Sequence, residues 1–284
     1  MIEVKNLSHC YGSVGVPAVN NISFHVYPGE TFGFLGPSGA GKSTTQNILT
    51  GLLDLQQGEV TVAGYDIRKK DPRRFDSIGV SFEQANVYGK LTALENLRYY
   101  ASLFNVPTRD PMELLELVGL GDHAGERAST FSKGMKHRLT FARSMLNAPK
   151  LWFLDEPTTG LDPAIASTIK EVIRQEKARG TTVFLTTHNM YIAEELCDRV
   201  AFIVDGGIQL IDTPKNLKQK FGHRLAEVEY LKNGQAVQER FRLTDPEEKQ
   251  ALSRLIREEE ILTMHTKEAT LEEIFIEVTG KGLV

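Results

Sequence analysis

Gly36, Pro37, Ser38, Gly39, Ala40, Gly41, Lys42, Ser43 and Thr44 fit the spacing G-x-x-x-x-G-K-[ST]. Glycines at these positions let backbone N–H groups turn inward around an anion, and a helix starting behind them adds partial positive charge. In such a loop Lys42 reaches the β- and γ-phosphates of a nucleotide, and the Ser43 hydroxyl holds Mg²⁺. The pattern requires a strand before it and a helix after it. Thr31 to Leu35 is short and apolar enough for a buried strand, and Ser43 to Leu49 reads as a helix stopped by Gly51. A glycine turn without a ligand needs neither flank, so the loop is expected to bind a nucleotide.

A phosphate loop alone leaves kinases, GTPases and many ATPases open. Asp155 narrows the choice, because it follows the apolar run Leu151 to Leu154. An acid at a strand end beside such a loop suits Mg²⁺ held through water. Glu156, next in the chain, is placed to polarise an attacking water.

The elements that must position these groups follow from periodicity. Ile2, Val4 and Leu7 open one strand, and Ile22 to Val26 alternates before a Pro28-Gly29 turn. Gln57-Gly58 reads as a turn and Glu59 to Val62 as another alternating strand. These strands predict an antiparallel sheet beside the site. Residues 85–148 change texture: Thr92 and Glu95 form a capping box for a helix through Phe104, Pro111 starts a second ending near Gly119, and a third runs from Lys133 to Asn147. Strands return at 151–154, 182–186 and 200–204, separated by helices at 163–179 and 190–197, which implies a parallel sheet with functional residues at its C-terminal ends. Beyond about residue 220, two strands flank Asn233-Gly234, Pro246 starts a charged helix, and Thr270 with Glu273 caps a last one. The expected fold is α/β: a nucleotide-binding core with an antiparallel β-subdomain and an inserted helical subdomain over 85–148, within a domain of residues 1–220. Residues 221–284 form a small α+β appendage whose role is a stabilising cap or a dimerisation or regulatory device.

Composition removes several classes of partner. A net charge of −4 gives no electrostatic case for nucleic acid. Cys10 and Cys197 stand alone, without a disulfide framework or metal-ligand company, which fits a reducing cytoplasm. No apolar run approaches the ~20 residues that a membrane helix needs. The first five residues lack the apolar core of a signal peptide, so any action at a membrane is expected to go through a partner.

In order along the chain stand the phosphate loop, the helical insert, Phe131-Ser-Lys-Gly-Met135 opening a helix, Leu151 to Glu156, Gly160-Leu-Asp-Pro163 and Thr186-Thr-His188. Over roughly residues 1–220 this order resembles the nucleotide-binding domain of ATP-binding-cassette (ABC) proteins, with their P-loop NTPase core. The resemblance implies ATP and Mg²⁺ as ligands. It makes Tyr11 the aromatic that stacks on adenine, His188 the switch histidine at the γ-phosphate, and Asp162 the aspartate of a loop crossing a dimer interface. Glu83 or Gln84 occupies the loop that touches Mg²⁺ and the attacking water and senses a membrane partner. Counting from Ile78-Gly79 favours Glu83; the family's usual glutamine favours Gln84. Ser132, Lys133 and Gly134 occupy the signature that closes over the ATP of the opposite subunit; Ser132 and Gly134 keep the usual residues of Leu-Ser-Gly-Gly-Gln, whereas Phe131, Lys133 and Met135 depart from it. The Ser-Lys-Gly-Met form and the ending Thr270 to Gly280 resemble the subgroup serving ABC-2 type drug and antibiotic exporters.

That resemblance implies an ATP-hydrolysing, energy-coupling subunit of an exporter, peripheral on the cytoplasmic face of the membrane. It would act as a homodimer, or a heterodimer with a related subunit, on a separate integral membrane subunit. The alternative is a soluble cassette ATPase acting on DNA, ribosomes or cluster assembly. Such relatives carry long coiled coils or tandem cassettes, whereas this chain has one phosphate loop and no heptad run.

Overall fold

A computed structural model describes residues 1–12, 15–69, 71–222, 225–232 and 234–282 of the chain. The backbone divides into two compact units, Met1–Ile211 and a second from Asp212 onwards. Strands β1 (Ile2–His9), β2 (Val19–Val26), β3 (Thr31–Leu35), β4 (Gln57–Val62), β5 (Tyr65–Asp66), β6 (Ile78–Ser81), β7 (Leu151–Asp155), β8 (Thr182–Thr187), β9 (Arg199–Val204) and β10 (Gly207–Asp212) build two sheets. The helices among them are α1 (Lys42–Thr50), α2 (Ala93–Ala101), α3 (Pro111–Leu117), α4 (Lys133–Arg143), α5 (Pro163–Ala178) and α6 (Met190–Leu196).

Burial patterning assigns the strands. β1 and β2 bury alternate residues and lie in an antiparallel sheet of order β2-β1-β4-β5, with one face on the core and one on solvent. β3, β7 and β8 are buried along their whole length and belong to a sheet of order β10-β9-β3-β8-β7-β6. In this second sheet β3 runs parallel to β8 and β9, and β7 parallel to β6 and β8. Phe24 of the first sheet meets Phe32, Phe34 and Phe184 of the second, ring centroids 5.4–6.1 Å apart, so the two sheets share one core. Register then aligns the chemistry: Leu35 pairs with Thr187, and Asp155 with Thr186. The phosphate loop, Asp155-Glu156 and Thr186-Thr187 therefore leave the sheet side by side at its C-terminal end.

Three boundaries differ from the sequence reading. Gln57-Gly58 is strand rather than turn: Gly58 has φ +99° at a register shift, and a Cβ there would lie 2.6 Å from the Asn6 carbonyl oxygen. The glycine allows a bulge. α2 stops at Ala101 rather than running through Phe104; the Ser102 hydroxyl bonds the Tyr99 carbonyl at 2.6 Å, and Asp76 takes the Asn105 N–H at 3.0 Å. α4 stops at Arg143 rather than Asn147. β6 passes so close that a Cβ at Gly79 would lie 2.0 Å from the Ser144 carbonyl oxygen, and Trp152 Nε1 donates to Ser144 Oγ at 2.8 Å. Asn147 instead donates to the carbonyl of Ile78 at 2.8 Å. Tertiary contacts end the helix before its pattern does.

The second unit holds α7 (Pro214–Phe221), β11 (Leu225–Lys232), β12 (Gln235–Arg242), α8 (Pro246–Glu258), β13 (Glu260–Lys267) and α9 (Leu271–Thr279). β11 is the centre of a sheet of order β12-β11-β13, antiparallel on both sides. Ala226, Val228, Phe241 and Leu252 form its core. β11 and β12 join at the expected place, Lys232 opposite Gln235, although Asn233 of that turn lies outside the described residues. β13 carries no clear sequence signal: Ile261 packs on the core, while Leu262 and Met264 are exposed on an edge strand. α7, read in sequence with the first domain, belongs to the second unit and packs on α9.

Candidate nucleotide site

The phosphate loop leads into a helix whose first N–H groups no side chain caps. Gly39 (φ 77°) and Gly41 (φ 105°) are left-handed, a region that glycine enters without steric cost. Gly41 is also the N-cap of α1, and no side chain caps that helix. Its first N–H groups therefore keep a free direction, with the positive end of the helix dipole behind them. A Cβ at Gly36 would lie 2.2 Å from the Ile203 carbonyl oxygen and one at Gly41 2.4 Å from that of Ala18, so β9 and the chain before β2 press the loop into shape. Lys42 Nζ donates to the carbonyls of Gly36 (2.7 Å) and Pro37 (2.9 Å), which holds its charge over the loop. Burial lowers the Lys42 pKa, while Glu156, Asp155 and Glu83 pull it back up.

Those three carboxylates share the site with the lysine. Asp155 is 8% exposed, and burial pushes its carboxyl above the ordinary range. The Thr186 hydroxyl donates to Asp155 and lowers the pKa; Glu156 and Glu83 raise it further, and Lys42 lowers it. Glu156 is 6% exposed and sits at φ 48°, a strained backbone for a non-glycine residue. Its Oε1 accepts from the His188 N–H at 2.9 Å and meets His188 Nδ1 at 2.6 Å. Its Oε2 accepts from Thr187 Oγ1 at 2.9 Å and Thr159 Oγ1 at 3.1 Å. Both oxygens are thus oriented by β8 and by the turn after β7. Sequence reasoning assigns a role to His188 here but none to Thr186 and Thr187 of the same motif, and passes over Thr159. The signal for Thr186 and Thr187 was their place beside His188 at the end of an apolar strand.

The residues fit a hard cation. Three carboxylates face one lysine, an excess of negative charge, and Ser43 is exposed at the start of α1. Among the described residues no three His, Cys, Asp or Glu side chains converge as a metal cage. Mg²⁺ suits such a site, since it takes one or two protein oxygens and completes its shell from phosphate and water.

Glu83 follows β6 and acts electrostatically on both Lys42 and Asp155. Both residues line a cavity of about 430 Å³ together with Lys133, Gly134 and Gly160. Ser132 is the exposed N-cap of α4, accepting the Met135 N–H at 3.2 Å with its own hydroxyl proton free. Asp162 is exposed and caps α5 by accepting the Ile165 N–H at 3.0 Å. Tyr11 is 58% exposed, and its hydroxyl lies 3.2 Å from Thr44 Oγ1. The described part of one chain thus brings Lys42, Asp155, Glu156, His188 and Glu83 together, and ties Tyr11 to the loop.

The ABC transporter family profile matches residues 19–159, from β2 through the carboxylates to Thr159. A fluoroquinolone-export ATP-binding protein of Mycobacterium tuberculosis is 48% identical over 284 residues, covering 100% of this chain and 94% of that protein. The chain belongs to the ABC transporter family. This cassette is also 35% identical over 228 residues to a lantibiotic transport ATP-binding protein of Streptococcus pyogenes, which covers 79% of this chain and 97% of that one. Among solved structures, a dimeric ATP-binding cassette bound to ADP and Pi superimposes with a TM-score of 0.69 at 27% identity, covering 75% of this cassette and 98% of that chain. As an ABC ATPase the cassette binds and hydrolyses ATP.

Proposed function

We propose that this chain is the ATP-hydrolysing, energy-coupling subunit of an ABC exporter, working as a dimer on the cytoplasmic face of a membrane. The observation that carries the chemistry is the Glu156 carboxylate, held by three donors and the His188 ring at the strand end beside Lys42. The α1 N-terminus and Lys42 would bind the β- and γ-phosphates, and Tyr11 would stack on the adenine. Asp155, through water, and Ser43 would hold Mg²⁺, which supplies charge neutralisation across the β- and γ-phosphate oxygens. Glu156 orients and deprotonates the attacking water, while His188, anchored to Glu156, presents its ring toward the γ-phosphate.

The second half of the site comes from another copy. Ser132, Lys133 and Gly134 would close over the γ-phosphate held by the opposite subunit, offering a hydroxyl, a cation and a helix N-terminus. Asp162 would lie at that interface. ATP then has its full set of contacts only in the closed dimer, so binding shifts the equilibrium toward closure and hydrolysis releases it. Glu83 or Gln84, with the helical insert, would pass the motion to a separate membrane subunit.

Support for the membrane partner comes from the relatives, whose names specify fluoroquinolone export and lantibiotic transport. No helix among the described residues is long and apolar enough to cross a membrane. Purification from detergent-solubilised membranes tests the reading. A multi-span membrane protein is expected to co-elute in near-stoichiometric amount; recovery of ribosomes or DNA without one would overturn the exporter assignment.

A further inference from the structure

The segment that ends in Tyr11 is fastened more firmly than an exposed loop requires. Gln56, on the approach to β4, reaches across to the residue before Tyr11 with both ends of its side-chain amide. Its Oε1 accepts the Cys10 N–H at 2.8 Å and its Nε2 donates to the Cys10 carbonyl at 2.9 Å. One side chain thus satisfies both backbone groups of Cys10, as a neighbouring strand would, just past the Ser8–Gln57 pair where β1 and β4 part. Gly12 then turns the chain away at φ 81°.

Two further contacts hold the ring. His9, 5% exposed in β1, packs edge-to-face with Tyr11 at 5.0 Å between centroids and 77° between planes. At the far end the Tyr11 hydroxyl meets Thr44 Oγ1, on the helix that follows the phosphate loop. Yet the ring stays 58% exposed. A large aromatic that follows a clamped backbone and is held by a ring contact and by its hydroxyl, while more than half open to solvent, is a prepared stacking surface. The Thr44 tie also sets its distance from the phosphates.

We propose that Gln56 is a positioning residue for the adenine platform, fixing Tyr11 so that the base meets a ring already in place. The idea rests on the reading of Tyr11 as the adenine-stacking residue. Preorganisation spares the ordering of the loop at the moment of binding, so its loss weakens ATP binding without touching the γ-phosphate. The consequence is selective. Gln56 supports affinity for the nucleoside and leaves affinity for the phosphates alone.

The test compares ATP with inorganic tripolyphosphate, which carries the phosphates without the base, by titration calorimetry on the full chain. Gln56→Met keeps the length of the side chain and removes both amide bonds. It is expected to weaken ATP binding about three- to tenfold, the equivalent of one or two ordinary hydrogen bonds, to raise KM with kcat unchanged, and to leave tripolyphosphate affinity unaltered. Tyr11→Ala is expected to lower the ATP-to-tripolyphosphate ratio by about tenfold or more, as loss of a base-stacking ring does. Adding Gln56→Met to Tyr11→Ala should then cost nothing further. An unchanged ratio in Tyr11→Ala would remove the platform itself. A lowered ratio in Tyr11→Ala with none in Gln56→Met would keep the platform and overturn the clamp. Equal loss of both ligands in Gln56→Met would make Gln56 a support of the whole loop and would overturn the clamp as well.

Discussion

Glu156 and Asp155 are neighbours in the chain, but their surroundings assign them different work. Glu156 has both oxygens oriented by donors, so it is ready to take a proton from a water. Glu156→Gln keeps the shape and removes the base. Turnover is expected to fall about 10²- to 10⁴-fold with ATP binding retained, as read by steady-state hydrolysis and calorimetry. Asp155 is instead a buried carboxylate with one oxygen held by the Thr186 hydroxyl. Its pKa is raised in the fold above the unfolded value of 3.8, so the native state holds the proton more tightly than the unfolded chain does. The ionised carboxylate therefore costs stability at neutral pH, and that cost disappears as pH falls through the folded pKa. Without nucleotide, Asp155→Asn is expected to melt above the wild type at pH 7, with the gap narrowing on acidification. A gap that widens in acid would contradict this. Both acids were legible in sequence, because an apolar run followed by two carboxylates has few other uses. The orienting role of the threonines was not, since a threonine ending a strand is ordinary until the register places it beside an acid.

At the scale of elements, two helix caps of the same chemistry separate stability from function. Thr92 caps α2 in a reciprocal capping box with Glu95, and Ser132 caps α4 through the Met135 N–H. Replacing either by alanine is expected to cost about 1 kcal/mol of stability, the usual worth of such a cap. Thr92→Ala should hydrolyse ATP at close to the wild-type rate. Ser132→Ala should lose about tenfold or more if, as proposed, its hydroxyl also donates to a developing phosphate charge. Equal ATPase rates in the two variants would reduce Ser132 to a cap. Element types were legible wherever a cap, a glycine or a continuous apolar run was strong. The reading failed where distant chain decides: Gly58 is strand because β1 bulges against it, and α4 ends early because Gly79 lets β6 approach Ser144. β13 was missed because only Ile261 of its apolar residues reaches a core.

At the scale of the whole molecule, the proposed dimer makes the phosphate loop half of a site. Its own chain supplies Lys42, Asp155, Glu156 and His188, while Ser132 to Gly134 begin a separate helix, with Ser132 exposed. The division of labour between copies can be read directly by mixing two defective proteins. Lys42→Ala disables the loop, and Ser132→Arg blocks the signature. Each alone should form dimers with two dead sites. Co-refolded or co-expressed in equal amounts, half of the dimers are mixed, and each mixed dimer has one site built from an intact loop and an intact signature. The steady-state ATPase rate of the mixture is then expected to recover to roughly a quarter of wild type, as a symmetric two-site dimer requires. A mixture as inactive as either variant alone would place loop and signature in the same chain's site and contradict the shared one.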